Sequence, residues 1–166
     1  MVKMLLEWVE VDPNKLDYDG RPLSRAAHLW NEAVVKLLLG RQDVNSDEPD
    51  NDGRTLLSHA AQFGFGEMVE LLLGQREGNP DKADNCGRTP LSHACKGRNA
   101  FETEVYTRLM KMLLGREEVI PDKPDNDGRT PLSHASEHGS EGPVGVLLGR
   151  EEVNPDKPDN GGRTPL

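Results

Sequence analysis

A short string returns five times along the chain, and any fold must accommodate it. It reads Gly20-Arg21-Pro22-Leu23, Gly53-Arg54-Thr55-Leu56-Leu57, Gly87-Arg88-Thr89-Pro90-Leu91, Gly128-Arg129-Thr130-Pro131-Leu132 and Gly162-Arg163-Thr164-Pro165-Leu166. The closing leucines are 34, 34, 41 and 34 residues apart. A second string, Leu37-Leu38-Leu39-Gly40, recurs as Leu71-Leu72-Leu73-Gly74, Met112-Leu113-Leu114-Gly115 and Val146-Leu147-Leu148-Gly149. Its glycine stands 13 residues before the next glycine of the first string every time. The chain therefore divides into a partial unit 1–19, whole units 20–52, 53–86, 87–127 and 128–161, and a partial unit 162–166. A fixed period of this length is the mark of a stacked repeat array.

Composition agrees with a thin, distributed core. Apolar residues make up 34% of the chain and charged residues 30%. That is little apolar mass for one central core, but enough for units that bury a face against their neighbours. Lys and Arg number 20 and Asp and Glu 29, a net charge of −9. Such a surface repels phosphate backbones, so nucleic acid is not expected as a partner. No apolar run reaches the length of a membrane span. Cys86 and Cys95 cannot build a disulfide framework. With no N-x-S/T acceptor, they point to a reducing, cytoplasmic setting.

Each unit reads as helix–turn–helix plus a projecting turn. Thr89 and Thr130 suit an N-cap, with Pro90 and Pro131 at the first helical position. A short helix Leu-Ser-His-Ala follows, with small residues such as Ala60, Ala61, Ala94 and Cys95 that let a neighbour approach. Gly64 and Gly139 fit the left-handed stop. Met68, Val69, Leu71, Leu72 and Leu73 form the apolar stripe of a second helix that ends at Gly74. An aspartate stands three residues before each finger glycine, at Asp17, Asp50, Asp84, Asp125 and Asp159. It is expected to cap its own turn.

These residues resemble the ankyrin repeat. Unit 128–161 carries the pattern at Asp125, Gly128, Thr130, Pro131, Leu132, Ala135, Gly139, Val144, Leu147, Leu148, Val153 and Asn154. Three departures stand out. Ser58, Ser92 and Ser133 occupy the family's usual His position, with His59, His93 and His134 one place later. The link after the leucine run is one residue shorter, and the turn is two residues longer. That combination resembles the near-identical repeats attached to fungal NACHT-type, NLR-like receptors. The resemblance implies an all-α solenoid with projecting hairpin fingers. It also implies a non-catalytic role in binding another protein, as part of a larger intracellular receptor-like chain.

The units are not uniform. Arg21 replaces the capping Thr in unit 20–52, and Trp30 replaces the helix-ending Gly. Unit 87–127 holds seven extra residues between Cys95 and Leu113. Phe101, Val105, Leu109 and Leu113 share one helical face, which predicts about two added turns before the second helix, preceded by a loop at 97–99. Gly142, Pro143 and Gly145 fall in the second helix of unit 128–161, so it is expected to be the weakest whole unit.

Catalytic, metal and cofactor roles find no support. His59, His93 and His134 recur in register, too far apart for two to share a zinc ion, and are expected to form a structural ladder. Residues 48–53 lack the bidentate twelfth-position Glu of a calcium loop, since His59 stands there. Gly-Arg-Thr lacks the remainder of a phosphate loop. An enzyme needs one asymmetric constellation, whereas this chain repeats the same residues along an axis.

By the resemblance, partner contacts fall on finger tips and the exposed end of each first helix. Position by position these are Tyr18, Asp19 and Arg21 (with His28 and Leu29), then Asn51, Asp52, Arg54, Gln62 and Phe63. Next come Asn85, Arg88 and Lys96 (with Cys86), then Asn126, Asp127, Arg129, Glu137 and His138. Acid-rich fingers favour a protein partner with basic patches, and Phe63, Tyr18 and Trp30 are the aromatic anchors. Neither end carries a polar cap, so end-to-end self-association is the alternative.

Overall fold

The computed structural model describes Val35, Leu37 and residues 45–75, 78–96 and 103–166. Tyr18, Asp19, Arg21, His28, Leu29, Trp30 and Phe101 lie outside the described residues, as does the 97–99 segment. From residue 45 on, the helices among the described residues are, in order, α1 Leu56–Gln62, α2 Gly66–Leu73, α3 Pro90–Ala94, α4 Thr103–Leu113, α5 Pro131–Glu137 and α6 Glu141–Leu148. Among the described residues there is no strand. The short helices α1, α3 and α5 contact one another in sequence and form one layer. The longer α2, α4 and α6 also contact one another in sequence and form a second layer behind them. This is the all-α repeat solenoid that the spacing predicts.

The starts of the first-layer helices are set by the threonines. The Oγ1 atoms of Thr55, Thr89 and Thr130 accept from the backbone N–H of Ser58, Ser92 and Ser133 at 3.2–3.3 Å. Each cap satisfies a donor the helix cannot pair internally, worth about 1 kcal/mol. Pro90 and Pro131 occupy the first helical position, as expected. Gly64 and Gly139 stop α1 and α5 with φ of +74° and +62°.

The core is a continuous seam between the layers. Leu56, Leu91 and Leu132 from the first layer meet Val69, Leu109, Met110, Leu113 and Leu147 from the second, all nearly fully buried. The alanines Ala60, Ala61, Ala94 and Ala135 are buried at the close approach of the short helices.

Two expectations about the second layer need correction. Leu71 does not join the buried stripe: it is 41% exposed, because Met68, Val69 and Leu72 already fill the inward face of α2. Helix α4 has 11 residues against eight in α2 and α6, and the part of the insertion before Thr103 lies outside the described residues. Val105 is exposed and Tyr106 is buried in its stead. The Tyr106 hydroxyl reaches back and donates to the carbonyl of Gln62 at 3.0 Å, closing the end of α1.

Helix α6 forms despite its glycines. Pro143 sits in the first turn and is buried, where a missing N–H is tolerated. Gly142 has a packing reason to be glycine: a Cβ there would run into Thr103 and Thr107 of α4.

Candidate partner-binding face

The fingers are built by one device repeated four times. Asp50, Asp84, Asp125 and Asp159 each accept at Oδ1 from the backbone N–H groups two and four residues on, at 2.8–3.0 Å. Their own N–H groups donate to the carbonyls of Arg54, Arg88, Arg129 and Arg163 at 2.9 Å. The aspartate thus caps its own turn, as the sequence suggests.

The second carboxylate oxygen carries the histidine ladder. His59, His93 and His134 place Nε2 2.7, 2.9 and 2.9 Å from Oδ2 of Asp50, Asp84 and Asp125. The Nδ1 atoms of all three rings are buried without a hydrogen-bond partner. A neutral ring with Nε2–H donating leaves only a lone pair unmatched, whereas a charged ring would strand an N–H. Burial therefore pulls His93 below its ordinary range, against the pull of Asp84. Burial, with the nearby Lys96 charge, takes His134 down to about 4. Burial pushes Asp84 up, but donation from His93 and from the Arg88 and Cys86 backbone outweighs it and holds the carboxyl at about 2. Asp50 and Asp125 move the same way: burial opposes, and donors from histidine and backbone prevail.

Adjacent fingers are tied to each other by asparagines. The backbone N–H groups of Asn85, Asn126 and Asn160 donate to the carbonyls of Asp52, Cys86 and Asp127 at 2.9–3.0 Å. Their side-chain amides donate to the carbonyls of Asn51, Asn85 and Asn126 at 3.0–3.1 Å. At the finger base, Lys123 and Lys157 reach back one unit to Asp81 and Asp122, with Nζ 2.8–2.9 Å from both backbone and side-chain oxygens. Lys82 does the same to the Asp47 carbonyl at 2.7 Å. Sequence reasoning missed both ladders. Their signal was a lysine five residues before the glycines at 87, 128 and 162, and an asparagine two before each.

The anticipated contact residues sort into two groups. Asn51, Asp52, Asn85, Cys86, Asn126 and Asp127 are exposed at the tips, though the Asn85 and Asn126 amides are committed to the ladder. Arg54, Gln62, Phe63, Arg88, Lys96 and Arg129 are half-buried where each finger meets its first helix, beside exposed Glu137 and His138. Phe63 stacks on Phe65 with ring centroids 5.9 Å apart. Arg54 and Arg88 lean forward, placing Nε 3.9 and 3.6 Å from Asp84 and Asp125, the capping aspartates of the following finger. Arg129 instead donates to Glu137 at 2.6 Å, which draws the Glu137 carboxyl below its ordinary value.

Burial pushes the Cys95 thiol well above its ordinary range, which disfavours the thiolate. Among the described residues no group of three or more His, Cys, Asp or Glu is placed to hold a metal ion. None of the described helices is long and apolar enough to cross a membrane.

Capped helix pairs and ladder-linked fingers thus repeat along the chain. The family described as ankyrin repeats (3 copies) matches residues 1–84 and 23–103. The chain belongs to the ankyrin-repeat family. No curated protein matches it. Ankyrin repeats are generally protein–protein interaction modules and typically non-catalytic. Here the ankyrin geometry continues beyond the matched segments, since unit 128–161 reproduces the cap, the turn and the ladder of unit 53–86.

Proposed function

We propose that this ankyrin-repeat chain is a protein-docking module without catalysis, the ligand-binding part of a larger intracellular receptor-like protein. Its docking face is the strip where fingers meet first helices. The observation that carries this is the alignment of Arg54, Arg88 and Arg129, Gln62, Lys96 and Glu137, and Phe63 and His138 at matching positions along the stack. The aspartates that would attract a basic partner are largely spent: Asp50, Asp84, Asp125 and Asp159 each accept two backbone donors in their own turns. Affinity capture from the source cell, run beside a Phe63→Ala, Arg129→Ala, His138→Ala variant, tests the face. Proteins captured by the native chain should be lost with the variant; an unchanged set would place docking elsewhere.

Stacking of one copy on another is the alternative occupant. Light scattering over a range of concentrations separates the two: constant monomer mass supports capture, and growth supports stacking.

A further inference from the structure

In unit 128–161 the finger arginine and the residue eight positions on form a closed pair, Arg129 Nη2 to Glu137 Oε2 at 2.6 Å. In unit 87–127 those two positions hold Arg88 and Lys96, two cations. Neither finds a partner of that kind. The Arg88 Nε atom is buried and makes no hydrogen bond. Its nearest carboxylate, Asp125 at 3.6 Å, is already engaged by His134 and by the N–H groups of Asp127 and Arg129. The Lys96 side chain makes no hydrogen bond or ion pair among the described residues, although it is half-buried. Both histidines beside this group are held neutral by their surroundings, so they add no charge.

The geometry points to a carboxylate subsite between Arg88 and Lys96, filled by an acidic side chain of a protein partner in the place Glu137 takes beside Arg129. This rests on the docking face proposed above and names what part of that face selects. A carboxylate fits because one already fills the equivalent place one unit further on. A guanidinium donates to it in a planar, two-pronged arrangement, and the ammonium supplies a further charge-assisted donor. A carboxylate is favoured over a phosphate backbone because the group seated beside the equivalent Arg129 is a carboxylate, Glu137. The loss of solvation at Lys96, together with the Arg88 charge, already draws its ammonium below the ordinary range. An incoming anion offsets the repulsion between the two cations.

Nuclear magnetic resonance of the labelled chain with an octaglutamate peptide tests this, reading the Arg88 side-chain N–H and the Lys96 amide. The expected result is a saturable shift at both that octaglutamine does not produce. Lys96→Glu supplies the missing carboxylate from within and should weaken the peptide about tenfold or more, with Lys96→Gln intermediate. Glu137→Lys should open a second locus at Arg129. Unchanged backbone spectra confirm that each variant is folded. No saturable shift at Arg88, or equal affinity in Lys96→Glu, overturns the subsite. So does tighter binding of an octathymidylate at the same atoms, which would reassign it to phosphate. The two proposals fail separately: partners captured through Phe63 and His138 but indifferent to Lys96→Glu sink the subsite and leave the docking face standing.

Discussion

The finger row and the outer helix layer of this molecule follow different rules. In the fingers, unit after unit keeps the same aspartate, glycine and asparagine, and each is hydrogen-bonded to a residue at a fixed offset or to the neighbouring finger. In the outer layer, α2, α4 and α6 differ in length and composition, from the leucine-rich α2 to the glycine-containing α6. The contrast has a physical cause. Directional bonds between units demand one geometry and so one residue, while apolar packing accepts many side chains of adequate volume. Repetition is strict where units bond and loose where they merely pack.

Substitutions at glycine break the comparison most sharply. Gly87 has φ +79°, and a Cβ there would lie 2.5 Å from Asn126 Oδ1 and 2.8 Å from its backbone nitrogen. Gly87→Ala should destabilise the chain by about 3 kcal/mol in urea unfolding, combining a left-handed backbone with a steric conflict. Next comes the histidine ladder. His134→Leu leaves the buried Asp125 carboxylate without its ring donor and should cost about 2–3 kcal/mol.

The same ladder makes stability depend on pH. His134 falls from an ordinary 6.5 to about 4 on folding, so the unfolded chain binds the additional proton between those values. Its contribution is complete above 6.5 and is lost as the pH falls toward 4. Asp84, held at about 2 against 3.8, adds a second loss at still lower pH. Urea midpoints should therefore drop on acidification from neutral pH, and the drop should be shallower in His134→Leu.

The outer layer should respond differently, and two glycines of a single helix show how. Nothing lies within 4 Å of a Cβ at Gly145. Gly145→Ala should stabilise the chain by about 1 kcal/mol through helix propensity alone. Gly142→Ala, three residues earlier, should destabilise it by about 1–2 kcal/mol because Thr103 and Thr107 are in the way. The smallest effect is expected at Arg129–Glu137. Glu137 is exposed, so Glu137→Gln should change the urea midpoint by less than about 1 kcal/mol.

Much of this was legible in the sequence because it is local. The threonine caps, the proline at the first helical position and the self-capping aspartate all act within four residues. The Asn and Lys ladders were not legible in the same way. Their partners lie 34 to 42 residues away, and identical copies give no variation from which to infer a contact. In α4 Leu109 and Leu113 are buried as expected, but Tyr106 takes the place of Val105, because an apolar count does not see the Tyr106 hydroxyl's partner at Gln62. The contact positions followed from the repeat register. What the register could not supply was which of them already have partners, and the difference between Lys96 and Glu137 depends on that.

Amide hydrogen exchange at the finger tips reads the bonds between neighbouring fingers one by one. Asn85, Asn126 and Asn160 are exposed, and an unlinked finger would exchange their backbone hydrogens at nearly free-peptide rates. Bonds from those hydrogens to the preceding finger predict strong protection at all three, lost together when the stack is opened by Gly87→Ala. Rapid exchange at these amides in the native chain would show that the fingers are not joined, and the account would be wrong.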